Sequence, residues 1–159
     1  MEKKKTHGTY AVSGILFNHE SPRRRLEFVT RKISHAVAAI KRGTQNELRL
    51  GDLDATRDWG FAGDYVRAMW LSLQQPEPRD YVITTGEPRT VLEFVEEAFA
   101  VIDLDWRKYV TLDDQFVRQD KGYRPCGDAS LARAELGWIP ETGFRDLVRM
   151  MVLAALESP

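Results

Sequence analysis

The residues best suited to chemistry lie in one short run, residues 14–24, with the sequence GILFNHESPRR. The run joins an apolar segment to a histidine, an acid, a proline and consecutive arginines. We expect residues 18–22 to form a turn rather than a core strand, because four of these five residues are polar and proline lacks an N–H. Open α/β sheets place ligands at polar turns that follow buried strands, so this run is a candidate binding loop.

The basic part of this run consists of Arg23, Arg24 and Arg25. Three adjacent guanidinium groups repel one another, so stability alone gives little reason to cluster them. Arginine makes bidentate contacts with phosphate oxygens, and a phosphate ligand would explain the cluster. A solvated surface loop is the alternative, and the sequence leaves both interpretations open.

His19 and Glu20 stand at the centre of the run. His19 could face a ligand, but its spacing favours the alternative, a loop histidine bonded to nearby backbone. His7 and His35 have no metal-binding spacing with it, so no metal site is predicted. Glu20 could serve as a general acid or base, yet no partner acid is identifiable and we assign no catalytic residue.

Two further arginines follow strand-like segments. Arg57 opens the sequence RDWG at residues 57–60, and Arg118 ends the run at residues 112–118. Arg57 between a tryptophan and a helix start suits a diphosphate, although a local ion pair with Asp58 and a core position for Trp59 would explain the motif structurally. Arg124 matches Arg118 as a candidate on composition. Arginines from separate loops could together neutralise a pyrophosphate if the fold brings them together.

The elements that must position these residues alternate along the chain, which predicts an α/β fold. Residues 51–60 are polar and turn-like, and Thr90 with Glu93 forms a capping box. The expected strands cover residues 9–17, 48–51, 81–86 and 108–112, and the expected helices cover residues 29–43, 62–73, 90–99, 128–137 and 144–155.

The predicted strand at residues 9–17 is apolar enough to be buried on both faces. Such a strand needs neighbours on each side, and this chain offers few others. We therefore expect the strand to belong to a larger sheet, and an edge left unpaired to promote association.

Composition bounds the remaining possibilities. The 159 residues suffice for one domain at residues 9–159, preceded by a charged tail at residues 1–8. A net charge of −1 gives no general field for nucleic acid or an anionic membrane. No apolar run reaches membrane-spanning length, and the single cysteine, Cys126, fits a reducing cytoplasm.

Taken together, five motifs closely resemble GDP-mannose 4,6-dehydratases of the extended short-chain dehydrogenase/reductase family. They are GILFNHESPRR at 14–24, FVTRKI at 28–33, RDWG at 57–60, YVITTG at 81–86 and GDASLARAELGW at 127–138. The resemblance implies a late Rossmann strand at residues 9–17, followed by the small C-terminal substrate-binding domain. It covers the C-terminal half of the family only, because neither Gly-x-x-Gly-x-x-Gly nor Tyr-x-x-x-Lys occurs in the sequence.

The resemblance also implies a cofactor and an assembly. His19 and Arg24 match family positions that contact NADP, and the arginine belongs to a loop that reaches the cofactor of a neighbouring subunit. Members of the family are homo-oligomers. We expect this chain alone not to hold NADP, since the dinucleotide loop is missing from it.

On the substrate side, the resemblance implies contacts with a GDP-sugar. Lys32 matches a lysine near the nucleotide, and Val29 matches a backbone contact to the guanine region. Arg57 and Arg118 match arginines that bind the diphosphate. Ser13 stands where the family usually has an asparagine facing the substrate, and a hydroxyl replaces only part of an amide's hydrogen bonding.

The implied function is the sugar-nucleotide-binding half of a lyase that converts GDP-mannose to GDP-4-keto-6-deoxymannose with NADP, in GDP-fucose biosynthesis. We expect the chain to be inactive alone. Gln119 and Lys121 depart from the family's proline and ribose-contacting glutamate, which bears on affinity. Alternatives are a non-catalytic GDP-sugar-binding module, the complementing half of a split enzyme, or half of a related reductase or epimerase; GILFNHESPRR favours the dehydratase over the reductase.

Overall fold

The computed structural model describes residues 8–117 and 125–158. Strands and helices alternate, as predicted, and the fold class is α/β. In chain order the elements are β1 (Gly14–Leu16), β2 (Asn18–Glu20), α1 (Val29–Lys41), β3 (Leu48–Leu50), β4 (Thr56–Phe61), α2 (Ala62–Ser72), β5 (Tyr81–Ile83), β6 (Pro88–Thr90), α3 (Val91–Ala100), β7 (Val110–Leu112), α4 (Ser130–Leu136) and α5 (Phe144–Glu157), with 3-10 turns at Trp106–Lys108 and Asp114–Phe116.

The strands form three small sheets. β1 pairs in parallel with β5, and β3 pairs in parallel with β7. In the third sheet β4 lies between β2, which is parallel to it, and β6, which is antiparallel. The chain passes from the first sheet to the third twice, at Phe17 and at the turn between β5 and β6.

The helices bury their apolar faces in two hydrophobic clusters. The larger one lies among α1, α3 and α5, where the predicted stripe of α5 is buried. The smaller one lies under α2, α4 and β5 and is built on the aromatic rings of Tyr65, Tyr81 and Trp138. Asp64 supports it, because its carbonyl accepts a hydrogen bond of 2.8 Å from the Trp138 indole.

The predicted capping box of α3 is confirmed. The Thr90 hydroxyl accepts a hydrogen bond of 3.0 Å from the Glu93 N–H, and the Glu93 carboxylate accepts one of 2.7 Å from the Thr90 N–H. This exchange satisfies two donors that a helix start would otherwise leave open.

Three strand predictions were wrong. Only residues 14–16 of the predicted strand at 9–17 are extended in a sheet, and Ile15 is 56% exposed rather than buried on both faces. Residues 18–20, expected in a turn, form β2, and half of the turn-like segment at 51–60 belongs to β4. Each of these two polar strands buries a carboxylate, Glu20 in β2 and Asp58 in β4, that accepts hydrogen bonds from residues elsewhere in the chain. The polarity of the local sequence does not reveal such distant partners.

Candidate functional site

A cleft of about 440 Å³ opens where β1 ends and β2 begins. Three of the basic residues singled out in the sequence line it: His19 from β2, Arg24 from the following loop and Arg57 from β4. The register of β2 on β4 places His19 opposite Gly60, so that His19 and Arg57 come from neighbouring strands. The remaining lining residues are Leu16, Phe17, Asn18 and Pro125.

The His19 ring is oriented by two contacts. Its Nδ1 lies 2.9 Å from the Phe17 carbonyl oxygen, which can only accept, so Nδ1 carries the proton. The ring stacks on Tyr65 with centroids 5.2 Å apart. The two interpretations of His19 are therefore compatible, because the side chain bonds to local backbone and still lines the cleft.

Arg24 is held from two sides. Its guanidinium lies 3.6 Å above the Phe28 ring centroid, and its Nε is 3.3 Å from Glu20 Oε2. Such fixation leaves little side-chain freedom to lose when the guanidinium meets an anion.

Glu20 is a structural partner of this site rather than an exposed acid, since only 1% of it is accessible. Burial raises the pKa of its carboxyl, and the hydrogen bond of 2.6 Å from the Thr30 hydroxyl and the charges of Arg24 and His19 oppose that rise. The carboxylate thus anchors Arg24 and ties β2 to α1.

Arg57 enters the cleft from β4, and its Nη1 donates a hydrogen bond of 2.7 Å to the Thr56 carbonyl. Trp59, two residues on, is buried against the rings of Phe94 and Phe144, so the core position considered as an alternative for Trp59 is confirmed. The carboxylate of Asp58 between them accepts hydrogen bonds from the turn that follows β5. Residues 58 and 59 therefore fix β4 in the interior, while residue 57 lines the cleft.

Three other predicted site residues lie elsewhere. The Lys32 ammonium donates a hydrogen bond of 2.6 Å to the Arg49 carbonyl and lies 4.0 Å from the Phe116 ring centroid. Burial lowers its pKa. Val29 packs against the larger hydrophobic cluster, and Ser13 is exposed at the amino end of β1, where its N–H donates a 2.8 Å hydrogen bond to Asp80.

The remaining predictions fall on residues 118–124, which lie outside the described residues. They concern Arg118, its alternative Arg124, and the departures at Gln119 and Lys121.

Comparison with known proteins identifies the family of the chain. The family model of GDP-mannose 4,6 dehydratase matches residues 1–151, which is nearly the whole chain. The chain belongs to the GDP-mannose 4,6-dehydratase family. The family predicted from the five motifs is thus confirmed.

Curated members of the dehydratase family are similar along almost the entire chain. GDP-mannose 4,6 dehydratase 2 of Arabidopsis thaliana is 53% identical over 154 residues, covering 97% of this chain and 41% of its own length. GDP-mannose 4,6 dehydratase of Homo sapiens is 45% identical over 171 residues, covering 97% of this chain and 46% of its own length. The chain therefore spans somewhat less than half the length of these relatives.

Solved structures support the fold of this family member. The structure of RMD from Pseudomonas aeruginosa complexed with NADPH superposes with a TM-score of 0.88 at 23% identity, covering 99% of this chain and 51% of that protein. This likeness shows the fold.

Two residues in or next to the cleft escaped prediction from the sequence. Asn18 lines the cleft although the sequence placed it in a turn, and Asp58 is buried although charged. Asn18 directly precedes His19 and Asp58 directly follows Arg57, and this adjacency was the only available signal. Within residues 8–117 and 125–158, no helix is long and apolar enough to cross a membrane, and no group of His, Cys, Asp and Glu could hold a metal ion.

Proposed function

We propose that this chain is the sugar-nucleotide-binding, C-terminal portion of a GDP-mannose 4,6-dehydratase, a lyase that forms GDP-4-keto-6-deoxymannose. The observation that carries the proposal is the cleft in which His19, Arg24 and Arg57 meet. Two guanidinium forks and an imidazole in one concave site suit the phosphate groups of a nucleotide. The relatives that match this chain act, by name, on GDP-mannose.

The cleft's donors fit an anionic dinucleotide. In an enzyme that also carries the dinucleotide loop, His19 and Arg24 would contact NADP, because the Nδ1–H of His19 is engaged with Phe17 and leaves Nε2 for the ligand, while Arg24 is already fixed. NADP, when bound, supplies the reversible oxidation of the sugar. The contribution of these two residues is to bind and orient phosphate and ribose groups.

Arg57, Arg118, Lys32, Val29 and Ser13 would contact the GDP-sugar. Arg57 lines the same cleft as the proposed cofactor residues, which agrees with a substrate that must lie against its cofactor. Lys32 lies on α1 beside β3, so it would meet a different part of the nucleotide.

Calorimetric titration of the full chain with GDP, and separately with UDP and NADP, tests this proposal. We expect GDP to bind, and Arg57→Ala to weaken its binding by about tenfold, because hydrogen bonds to charged groups are among the stronger ones. Arg145→Ala is the matched control: that arginine is exposed and pairs with Glu97, away from the cleft. Equal affinity in parent and Arg57→Ala would remove Arg57 from the site.

We further propose that the chain has no dehydratase activity by itself. No catalytic residue is assigned among its side chains, and the Tyr-x-x-x-Lys motif does not occur in its sequence. Incubation with GDP-mannose and NADP should give no 4-keto product. Turnover above the background of a heat-inactivated sample would contradict this expectation.

A second candidate function is that of a complementing half in a split enzyme. It is favoured by the exposure of Ile15 on β1, which pairs with β5 alone among the described residues. Co-expression with the part of the Arabidopsis relative that this chain does not match should then restore dehydratase activity. A non-catalytic GDP-sugar-binding module would bind GDP equally well but would restore no activity, and half of a reductase or epimerase would restore a different reaction.

The setting proposed for the protein is a cytoplasmic homo-oligomer. The single cysteine, Cys126, leaves no partner for an internal disulfide, which fits a reducing compartment. Sedimentation of the chain at micromolar concentration tests the association: a stable monomer would contradict it.

A further inference from the structure

Asp58 is a buried carboxylate that the proposed binding chemistry leaves without a role. It is 0% exposed and accepts four hydrogen bonds, all from residues 84–86. The backbone N–H groups of Thr85 and Gly86 donate at 3.0 and 2.8 Å, and the hydroxyls of Thr84 and Thr85 also donate. A buried charge is retained only where such partners satisfy it.

These hydrogen bonds connect two sheets. Asp58 lies in β4, in the middle of the β2–β4–β6 sheet, whereas residues 84–86 follow β5 of the β1–β5 sheet. Gly86 adopts a φ of +78°, a left-handed conformation that the turn requires and that the carboxylate holds through the Gly86 N–H. The junction between the sheets is therefore pinned by one side chain.

This junction between the sheets adjoins the cleft. Arg57, the residue before Asp58, points into the cleft, which is also lined by Leu16 and Phe17 from the end of β1. Asp58 also lies near the Tyr65 phenol, whose pKa is raised by burial and then by the charges of Asp58, Asp64 and Glu20. Tyr65 is the ring on which His19 stacks.

We propose that Asp58 is a positioning residue: by binding the turn after β5 it holds Arg57 at the distance from His19 and Arg24 that an anion requires. The inference rests on the proposed function of the cleft. The side chains that contact a ligand keep their geometry only when neighbouring residues hold them in place.

Asp64 offers a matched comparison. It is also a buried carboxylate, and it accepts backbone hydrogen bonds of 3.1 and 3.0 Å from Glu141 and Thr142. Neither Asp64 nor these partners line the cleft. If Asp58 only stabilised the fold, Asp58→Asn and Asp64→Asn should have similar consequences.

The test measures the order of the Arg57 side chain without any ligand. The heteronuclear NOE of the Arg57 Nε–Hε group is recorded for the parent, Asp58→Asn and Asp64→Asn, together with thermal unfolding. We expect Asp58→Asn to lower the Arg57 NOE toward that of the exposed Arg145, and Asp64→Asn to leave it unchanged despite a comparable drop in stability. An unchanged Arg57 NOE in Asp58→Asn, or an equal decrease in both variants, would overturn the proposal.

Titration with inorganic pyrophosphate adds a functional readout. We expect Asp58→Asn to bind about tenfold more weakly than the parent, because a misplaced Arg57 donates a poorer hydrogen bond to the charged anion. Asp64→Asn should bind as the parent does. If the parent does not bind pyrophosphate, the proposed function fails, while the NOE comparison still decides the role of Asp58.

A milder variant covers the case in which Asp58→Asn does not fold. Thr84→Val removes one hydroxyl donor to Asp58 and keeps the shape of the buried side chain. It should lower the Arg57 NOE in the same direction but less. No change in this variant would count against the positioning role.

Discussion

Two clefts of nearly equal volume differ in the burial of the carboxylates that support their lining residues. The first, of about 440 Å³, contains His19, Arg24 and Arg57. The second, of about 420 Å³, lies at the start of α5 and is mainly acidic. Its charged lining residues are Glu87, Arg89, Glu93, Glu96, Glu97, Arg145 and Asp146.

The difference lies in burial. The cations of the first cleft are backed by two carboxylates removed from water, Glu20 and Asp58. In the second cleft, Arg89 pairs with Glu87 and Glu93 at the surface, where ion pairs contribute little. Burying a charge is costly. We therefore interpret the two buried carboxylates beside the first cleft as residues that hold its side chains in place. Volume alone would not separate the two clefts.

The largest expected effect tests this contrast in stability. Glu20→Ala should lower the free energy of unfolding by about 3 kcal/mol, because it leaves the Thr30 hydroxyl and the Arg24 guanidinium without their buried partner. Glu96→Ala, at an exposed position in the second cleft, should change it by less than about 0.5 kcal/mol. Urea unfolding measures both. Similar decreases would mean that burial does not distinguish the clefts.

Reversing charge separates the clefts in binding. Arg57→Glu should weaken pyrophosphate binding by about a hundredfold, since an attractive contact becomes a repulsive one. Arg145→Glu in the second cleft should leave the affinity unchanged. Fluorescence or calorimetric titration gives the dissociation constants, and a weaker affinity in the Arg145 variant would show that anions bind at the wrong cleft.

A smaller effect is expected at the capping box beside the second cleft. Thr90→Ala should cost about 1 kcal/mol, because the Glu93 N–H is deprived of the hydroxyl that caps α3. Pyrophosphate binding should not change. Thr90→Ser, which keeps the hydroxyl, should recover most of the stability; if it does not, the destabilisation in Thr90→Ala has another origin than the cap.

The smallest effects concern pH, and they should have opposite signs. Burial raises the pKa of Glu20 above 4.5, so the folded state binds the Glu20 proton more tightly than the unfolded state does. The free energy of unfolding of the parent, relative to that of Glu20→Gln, should therefore fall as pH rises through the raised pKa. Burial also acts on Glu93, but hydrogen bonds from Thr90 and Arg89 lower its pKa below 4.5, so the advantage over Glu93→Gln should disappear as pH falls through that pKa. Unfolding in urea from about pH 2.5 to 8, at matched ionic strength, follows both differences, because the change at Glu93 lies below pH 4.5. The same sign for both would contradict the burial argument.

Much of the helical structure was predictable because its signals are local. The stripe of α5, the spacing of α1 and the capping box at Thr90 depend on residues at most a few turns apart, and the structure has each of them. The short strands were not predictable. Whether residues 18–20 pair with β4 depends on a segment some forty positions away, at residues 56–61.

The amino-acid sequence by itself therefore determined the α/β class, the family and the cations to examine, because these depend on residue types in order along the chain. Only the tertiary structure decided which cations meet. It brought His19, Arg24 and Arg57 to one cleft and left Lys32 beside Arg49. It also decided that Asp58 is buried, since a charged side chain enters the interior only when donors from a distant segment, here residues 84–86, surround it.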